Sequence, residues 1–281
     1  MKKFLKSMVS GICSFLLTIS CGAVKAKDFK VALDPGHGGL KPGCVYSYDG
    51  KEIKEKDLNL KIALNLKDIL EKQYRTQDGR KVSVCLTRSG DTDLGLEERV
   101  LFAKGEEADV LISLHNNAHA DREDKRRGCM VIVTGYRPKY GRNCLYDLEE
   151  GLAHSIIGAL GEIGIKPVEM ELPAKFTSSA SDKFGEYVGG LFRRFSDDGT
   201  TYKDGSTTDW YGIIMYGILH NIPSIIVEHA YLSVEEDYRE FLSSDEKLRK
   251  LAEADADGIA SYYNLVKVPA KEDSSTVDSH S

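Results

Sequence analysis

The stretch Val-Ala-Leu-Asp-Pro-Gly-His-Gly-Gly at residues 31–39 limits most strongly how this chain can fold. Its three apolar residues are too few for a helix and suit a buried strand, which the Asp-Pro-Gly that follows breaks sharply. In an open α/β sheet the carboxyl ends of the strands face the ligand crevice, so His37 is expected at a site rather than in the core. A lone histidine in a tight turn is more often an ordinary surface residue, so this interpretation depends on the rest of the chain.

A second apolar strand, at residues 109–118, runs into a histidine in the same way, at His115. Between the two strands, residues 55–70 have apolar side chains spaced along one helical face, and Glu55 falls in the first turn. Two histidines at strand ends and a carboxylate at a helix start match a His2Glu zinc set, which leaves one coordination position open.

Each of these assignments has a competitor. Glu52 is an alternative carboxylate, and a glutamate at a helix start can serve the helix dipole alone. His119 stands four residues after His115, but a helical zincin motif requires a glutamate directly after its first histidine, and Asn116 occupies that position. His119 is therefore the lesser candidate.

A third strand, at residues 221–231, is rich in β-branched residues and ends in Glu228 and His229. Adjacent strand residues point to opposite faces, so only one of the two can enter a shared site. A metal hydrolase needs a carboxylate base beside the metal, which favours Glu228. The alternative is a salt-bridged Glu228 with His229 as the site residue. Arg88 and Arg99 are interpreted as structural charge partners.

Alternating apolar strands and amphipathic helices predict an α/β fold with a single domain at residues 27–266. The long segment at residues 166–211 suits a lid or cleft wall, or else a tolerated surface insertion. Residues 267–281 are polar and lack periodicity, so this tail is predicted to be disordered.

Residues 1–26 are predicted to be a signal peptide, with a basic start, a short apolar run and a small-residue cleavage box that ends at Ala26. The mature chain would begin at Lys27 and be exported to the periplasm, the cell envelope or the extracellular space. Lipoprotein processing at Cys21 is an alternative, although the usual leucine three residues earlier is absent. An uncleaved anchor is another, although the apolar run is too short to span a bilayer.

The formal net charge of −6 argues against nucleic acid or an anionic membrane as a partner, and loss of the four leader lysines would bring it to −10. No CxxC spacing is present, so a cysteine zinc site is not expected. The mature chain retains four cysteines, which allow three disulfide connectivities, and the sequence leaves their state open. They are Cys44, Cys85, Cys129 and Cys144.

Four segments in this order give the chain a family resemblance that covers about residues 29–263. They are Asp34-Pro-Gly-His-Gly-Gly39, Lys54-Glu-Lys-Asp-Leu-Asn-Leu60, Ser113-Leu-His-Asn-Asn-Ala118 and Val227-Glu228. Together they resemble the zinc-dependent N-acetylmuramoyl-L-alanine amidases of the Amidase_3 family. One departure follows the last segment: the family usually continues with Gly-Phe and then Ser-Asn, whereas this chain has His229-Ala-Tyr and then Ser-Val.

The resemblance implies a twisted, mostly parallel sheet of about six strands between helices. It also implies one Zn²⁺ ion held by His37, Glu55 and His115, with Glu228 as the catalytic carboxylate, and it favours Glu55 over Glu52. The implied activity is cleavage of the amide bond between N-acetylmuramic acid and L-alanine in peptidoglycan by a zinc-activated water.

Two other functions are compatible with the same motifs. A zinc peptidase could use this site to cut bonds within the stem peptide. An inert wall-binding or regulatory relative would be expected to lack a ligand or the catalytic acid, yet all four positions are filled. The sequence does not identify a regulatory protein partner.

Overall fold

A mixed seven-stranded sheet forms the centre of the molecule. The computed structural model describes residues 27–121, 123–136, 144–169 and 185–269. The strands in chain order are β1 (Phe29–Pro35), β2 (Val45–Tyr48), β3 (Lys51–Lys54), β4 (Tyr74–Arg75), β5 (Val82–Leu86), β6 (Val110–Asn117), β7 (Met130–Ile132), β8 (Glu186–Val188), β9 (Leu191–Arg193), β10 (Ser224–Tyr231) and β11 (Val266–Lys267). The order across the main sheet is β5-β1-β6-β10-β7-β9-β8. Strands β2 and β3 form a separate hairpin, and β4 pairs with β11.

Four of the six neighbouring strand pairs in the main sheet are parallel. The pairs β10–β7 and β8–β9 are antiparallel. The predicted α/β fold with a mostly parallel sheet is therefore confirmed, although the sheet has seven strands rather than about six. The strands β8 and β9, which lie within the long segment at residues 166–211, extend the sheet at one edge.

Helices cover both faces of this sheet. They are α1 (Glu55–Gln73), α2 (Leu96–Gly105), α3 (Cys144–Glu162), α4 (Gly212–His220) and α5 (Asp245–Tyr263), with a short helix (Glu235–Asp237) that runs into a π-helical turn (Tyr238–Leu242). The larger core lies between the sheet and α1, α3 and α5, and a smaller one lies under α2 and α4. Side chains alternate between the two cores along β1, where Val31 and Leu33 enter the larger and Ala32 the smaller.

The proposed leader at residues 1–26 and most of the predicted tail lie outside the described residues. Within the described part of the chain, no helix is both long and apolar enough to cross a membrane. Cys44, Cys85, Cys129 and Cys144 are free thiols.

The turn after β1 is held by buried arginines. Asp34, at the end of β1, forms an ion pair with Arg99 of α2, with 2.6 Å between Oδ1 and Nη1, and both side chains are at most 3% exposed. Arg88 donates hydrogen bonds to the carbonyls of Pro35 and Gly36. Both arginines thus serve as the structural partners that the sequence suggests, and they fix the backbone that leads to His37.

This ion pair predicts a large loss of stability on mutation. Arg99→Met would leave the Asp34 carboxylate buried without its charged partner, so the free energy of unfolding should fall by about 3–5 kcal/mol. Urea denaturation of the wild type and the variant measures the difference. The matched control is Arg249→Met, because Arg249 is 41% exposed and pairs only at the surface, with Asp68 and Glu253. A loss no greater than in this control would contradict the structural role of Arg99.

Candidate metal centre

Three side chains from separate elements meet at the carboxyl ends of β1 and β6. The two strands run parallel with Pro35 opposite Leu114, so His37 and His115 reach the same edge of the sheet. Glu55 is the first residue of α1, and the hairpin of β2 and β3 leads the chain from the His37 turn to that helix. The fold therefore brings together three residues that are distant in sequence.

The carboxylate of Glu55 lies between the two imidazoles. Its Oε2 is 3.1 Å from His37 Nε2, and its Oε1 is 2.9 Å from His115 Nδ1. One ligand atom from each residue lies within 4.8 Å of the other two, an arrangement that could hold a metal ion. Two nitrogens and one oxygen are donors that zinc accepts in open, catalytic sites.

Glycines make this close approach of the ligands feasible. A Cβ atom at Gly36 would lie 2.1 Å from the His115 ring, and one at Gly43 would lie 2.4 Å from Glu55 Oε2 and 2.7 Å from His37 Cδ2. Any larger residue at either position would collide with a candidate ligand. His37 itself has a left-handed backbone with φ of 63°, which the surrounding bonds must maintain.

Hydrogen bonds from three directions hold the Glu55 carboxylate. The backbone N–H of Cys44 donates to Oε2 at 3.0 Å, and that of Asn116 donates to Oε1 at 3.3 Å. Asn59, one turn further along α1, donates from Nδ2 to Oε1 at 3.2 Å. Burial opposes ionisation of Glu55 most strongly, yet the interactions with His115 and His37 outweigh it and hold the pKa of the carboxyl well below its ordinary value.

Asn59 contacts each of the three segments that carry the candidate ligands. Besides Glu55, its amide donates to the carbonyl of Gly36 at 3.3 Å, and its Oδ1 accepts from Asn116 Nδ2 at 2.9 Å. Sequence reasoning did not select Asn59. Its spacing of four residues from Glu55 on a predicted helix was the available signal, since such residues lie on the same helical face.

Glu228 lies beside this cluster on the neighbouring strand. β10 runs parallel to β6 with Glu228 opposite His115, so the two side chains project from the same face of the sheet. The Oε2 atom of Glu228 is shielded from solvent and has no hydrogen-bond partner among the described residues. Burial, and then the charge of Glu55, raise the pKa of Glu228 well above its ordinary value. A shielded carboxylate oxygen without a partner is costly, which points to an interaction with a ligand.

Tyr211, directly before α4, lies close enough to Glu228 to be affected by its charge. Burial, and then the carboxylate of Glu228, raise the pKa of the Tyr211 phenol to about 12. This tyrosine is the last residue of the long segment at residues 166–211. Sequence reasoning did not single out Tyr211.

The competing candidates lie outside the cluster. Glu52 is 63% exposed on β3 and pairs with Lys54. His119 stacks on Tyr231 at 4.0 Å between ring centroids, and its Nδ1 lies 3.3 Å from Asp124.

His229 also lies outside the cluster, because it is buried on the face of β10 opposite Glu228, where it contacts Asp255 of α5. Burial alone would lower the pKa of His229, but Asp255 and the carbonyl of His115 raise it.

Comparison with known proteins agrees with the family resemblance of the sequence motifs. The sequence profile of Amidase_3, described as N-acetylmuramoyl-L-alanine amidase, matches residues 31–261. The chain is 27% identical over 244 residues to the N-acetylmuramoyl-L-alanine amidase AmiC of Escherichia coli, covering 86% of this chain and 54% of that protein. It is 27% identical over 259 residues to AmiA of Escherichia coli, covering 89% of this chain and 83% of that one.

The fold comparison agrees with the sequence comparison. The structure of amidase AmiC2 of Nostoc punctiforme superposes with a TM-score of 0.55 at 26% identity, covering 85% of this chain and 99% of that one. The chain spans about half the length of two curated relatives, the Escherichia coli AmiC and a probable AmiB of Haemophilus influenzae. Because the family profile extends over most of the chain, the protein belongs to the Amidase_3 family.

Proposed function

We propose that this protein hydrolyses the amide bond between N-acetylmuramic acid and the L-alanine of the stem peptide in peptidoglycan. The observation that carries the proposal is the shielded oxygen of Glu228, which has no partner among the residues that the structure describes, beside the His37–Glu55–His115 cluster. A cluster with metal-binding geometry next to a carboxylate poised to exchange a proton is the arrangement that metal-assisted amide hydrolysis requires. Membership of the Amidase_3 family supports the choice of bond.

In this proposal His37, Glu55 and His115 hold one zinc ion. Zinc in such a site lowers the pKa of a water ligand and polarises the scissile carbonyl. Cys44, Asn59 and Asn116 hold the Glu55 carboxylate in place before a metal arrives, so little reorganisation is needed on binding.

Glu228 is proposed to move the proton. Its carboxylate would accept a proton from the attacking water and deliver it to the departing amine of alanine. Its shielded position raises its affinity for a proton, which suits a group that must accept one near neutral pH. The products are a glycan strand with a free lactyl carboxylate and a stem peptide with a free amino terminus.

The remaining sequence predictions complete the proposal. Residues 1–26 would direct the chain out of the cytoplasm, to where peptidoglycan lies. The described part of the long segment, residues 185–211, would form a wall of the cleft, which is supported by the influence of Glu228 on the pKa of the Tyr211 phenol and by the extension of the sheet through β8 and β9.

The identity of the cleaved bond is tested on purified peptidoglycan. We expect digestion to release stem peptides whose new amino terminus, identified by end-group labelling, is alanine. A new terminus at another residue of the stem would show that the site belongs to a peptidase. The absence of any new terminus, with zinc bound, would point to an inert wall-binding protein.

The ligand assignment predicts which histidines control the metal content. His37→Ala and His115→Ala should lower bound zinc steeply, because each removes one of three ligands, and both should abolish activity. His119→Ala is the matched control and should retain zinc, since its ring lies outside the cluster. Zinc content is measured by atomic emission after dialysis. Full occupancy in His115→Ala would show that the wrong histidine has been assigned.

Substitutions of Glu228 and Glu55 should affect catalysis and metal binding separately. Glu228→Gln keeps the size of the side chain but removes its basicity, so it should retain zinc and lose roughly 10²–10⁴-fold in turnover. Glu55→Gln should weaken zinc binding first, because a neutral amide is a poor ligand. Both variants are compared by zinc content and by turnover at saturating zinc. Near wild-type turnover in Glu228→Gln, or loss of its zinc, would contradict these roles.

A further inference from the structure

The strand that carries Glu228 contains a β-bulge next to that residue. Glu228 lies opposite His115, and the next register pair joins Tyr231 to Asn117, so β10 advances three residues while β6 advances two. A bulge leaves one residue outside the regular ladder, re-aims the side chains around it and is frequent beside active sites. His229 is the residue that directly follows Glu228 in this irregular stretch.

The side chain of His229 makes two contacts across the bulge. Its Nδ1 lies 2.9 Å from the backbone carbonyl of His115, and its Nε2 lies 2.9 Å from Asp255 Oδ2 of α5. The carbonyl only accepts hydrogen bonds, so Nδ1 donates to it, while Nε2 faces the carboxyl group of Asp255. A single buried side chain therefore links β10, β6 and α5 at the level of the metal cluster.

Stability alone does not account for this buried histidine–carboxyl contact. The side chains of His229 and Asp255 are at most 1% exposed, and Oδ1 of Asp255 has no hydrogen-bond partner among the described residues. Taking polar groups out of water costs free energy, and replacing such a buried pair by apolar residues is often neutral or stabilising. What the pair supplies is a fixed geometry between the segments it joins.

We infer that His229, held by Asp255, is a positioning residue that fixes the backbone of His115 relative to Glu228. The inference rests on the proposed function, in which His115 is a metal ligand and Glu228 is the proton acceptor. Neither His229 nor Asp255 contacts the substrate or the metal in this role. They set the separation of two groups that do, across a break in the regular ladder between β10 and β6.

The experiment replaces the pair without leaving a buried charge unpaired. In His229→Leu/Asp255→Leu, thermal unfolding should stay close to that of the wild type, zinc affinity should fall about tenfold to hundredfold, and kcat should fall by a similar factor with little change in KM. Zinc affinity is measured on the full chain by competition with a chromogenic chelator. The kinetic constants are measured at saturating zinc.

His220→Leu/Glu97→Leu is the matched control. It removes another histidine–carboxylate contact of 2.9 Å, which joins α4 to α2 away from the cluster. It should leave thermal unfolding, zinc affinity and kcat unchanged. His229→Asn adds a second test, because its amide nitrogen can reproduce the Nδ1 donor to the His115 carbonyl. We expect it to recover part of the zinc affinity that the double leucine variant loses.

Wild-type zinc affinity and kcat in the double leucine variant would overturn the inference and leave the proposed function intact. If that variant is unstable, Asp255→Asn replaces it, because it keeps the size of the side chain. The same zinc titration of this variant then tests whether the His229–Asp255 pair positions His115. If the wild-type protein released no alanine amino terminus, the proposed function would fail, and the zinc titration would still decide whether His229 positions His115.

Discussion

The buried carboxylate of Asp34 is the interaction on which the geometry of the site depends. Its Oδ1 accepts hydrogen bonds from Arg99 and Thr87, and its Oδ2 accepts one from Ser113 of β6 at 2.6 Å. A buried charge must be paired, so these bonds hold the end of β1 level with β6 and with the start of α2. Arg99 also donates to the carbonyl of His37 at 2.8 Å, which maintains the left-handed backbone of that residue.

The carboxylate of Glu55 is likewise held in place within the His37–Glu55–His115 cluster. Each of its oxygens contacts one histidine and also accepts a backbone hydrogen bond, so the carboxylate has little freedom to turn away. Glu228 on the next strand has the opposite environment, because its shielded Oε2 lacks a donor within the described part of the chain. The two carboxyl pKa values are therefore pushed apart, downwards for Glu55 and upwards for Glu228. This difference supports assigning coordination to the first and proton transfer to the second.

The segment that extends the sheet is tied to the core by a second buried carboxylate. Asp209 accepts hydrogen bonds from Thr134, Gly135 and Tyr202. The described part of this segment, residues 185–211, is thus integrated with the sheet and does not simply lie on the surface.

The sequence by itself determined the α/β class, the strand that leads to His37, the strand that carries His115, the start of α1 at Glu55 and the separation of Glu228 from His229 onto opposite faces. These features follow from local rules, namely turn residues, helical spacing and the two-residue period of a strand. Only the tertiary structure decided which distant groups meet: the contacts of Asn59 with three segments, the approach of Tyr211 to Glu228, the bulge at His229 and its partner Asp255. Such contacts depend on the register between strands and on the packing of helices against the sheet, and local spacing along one chain contains neither.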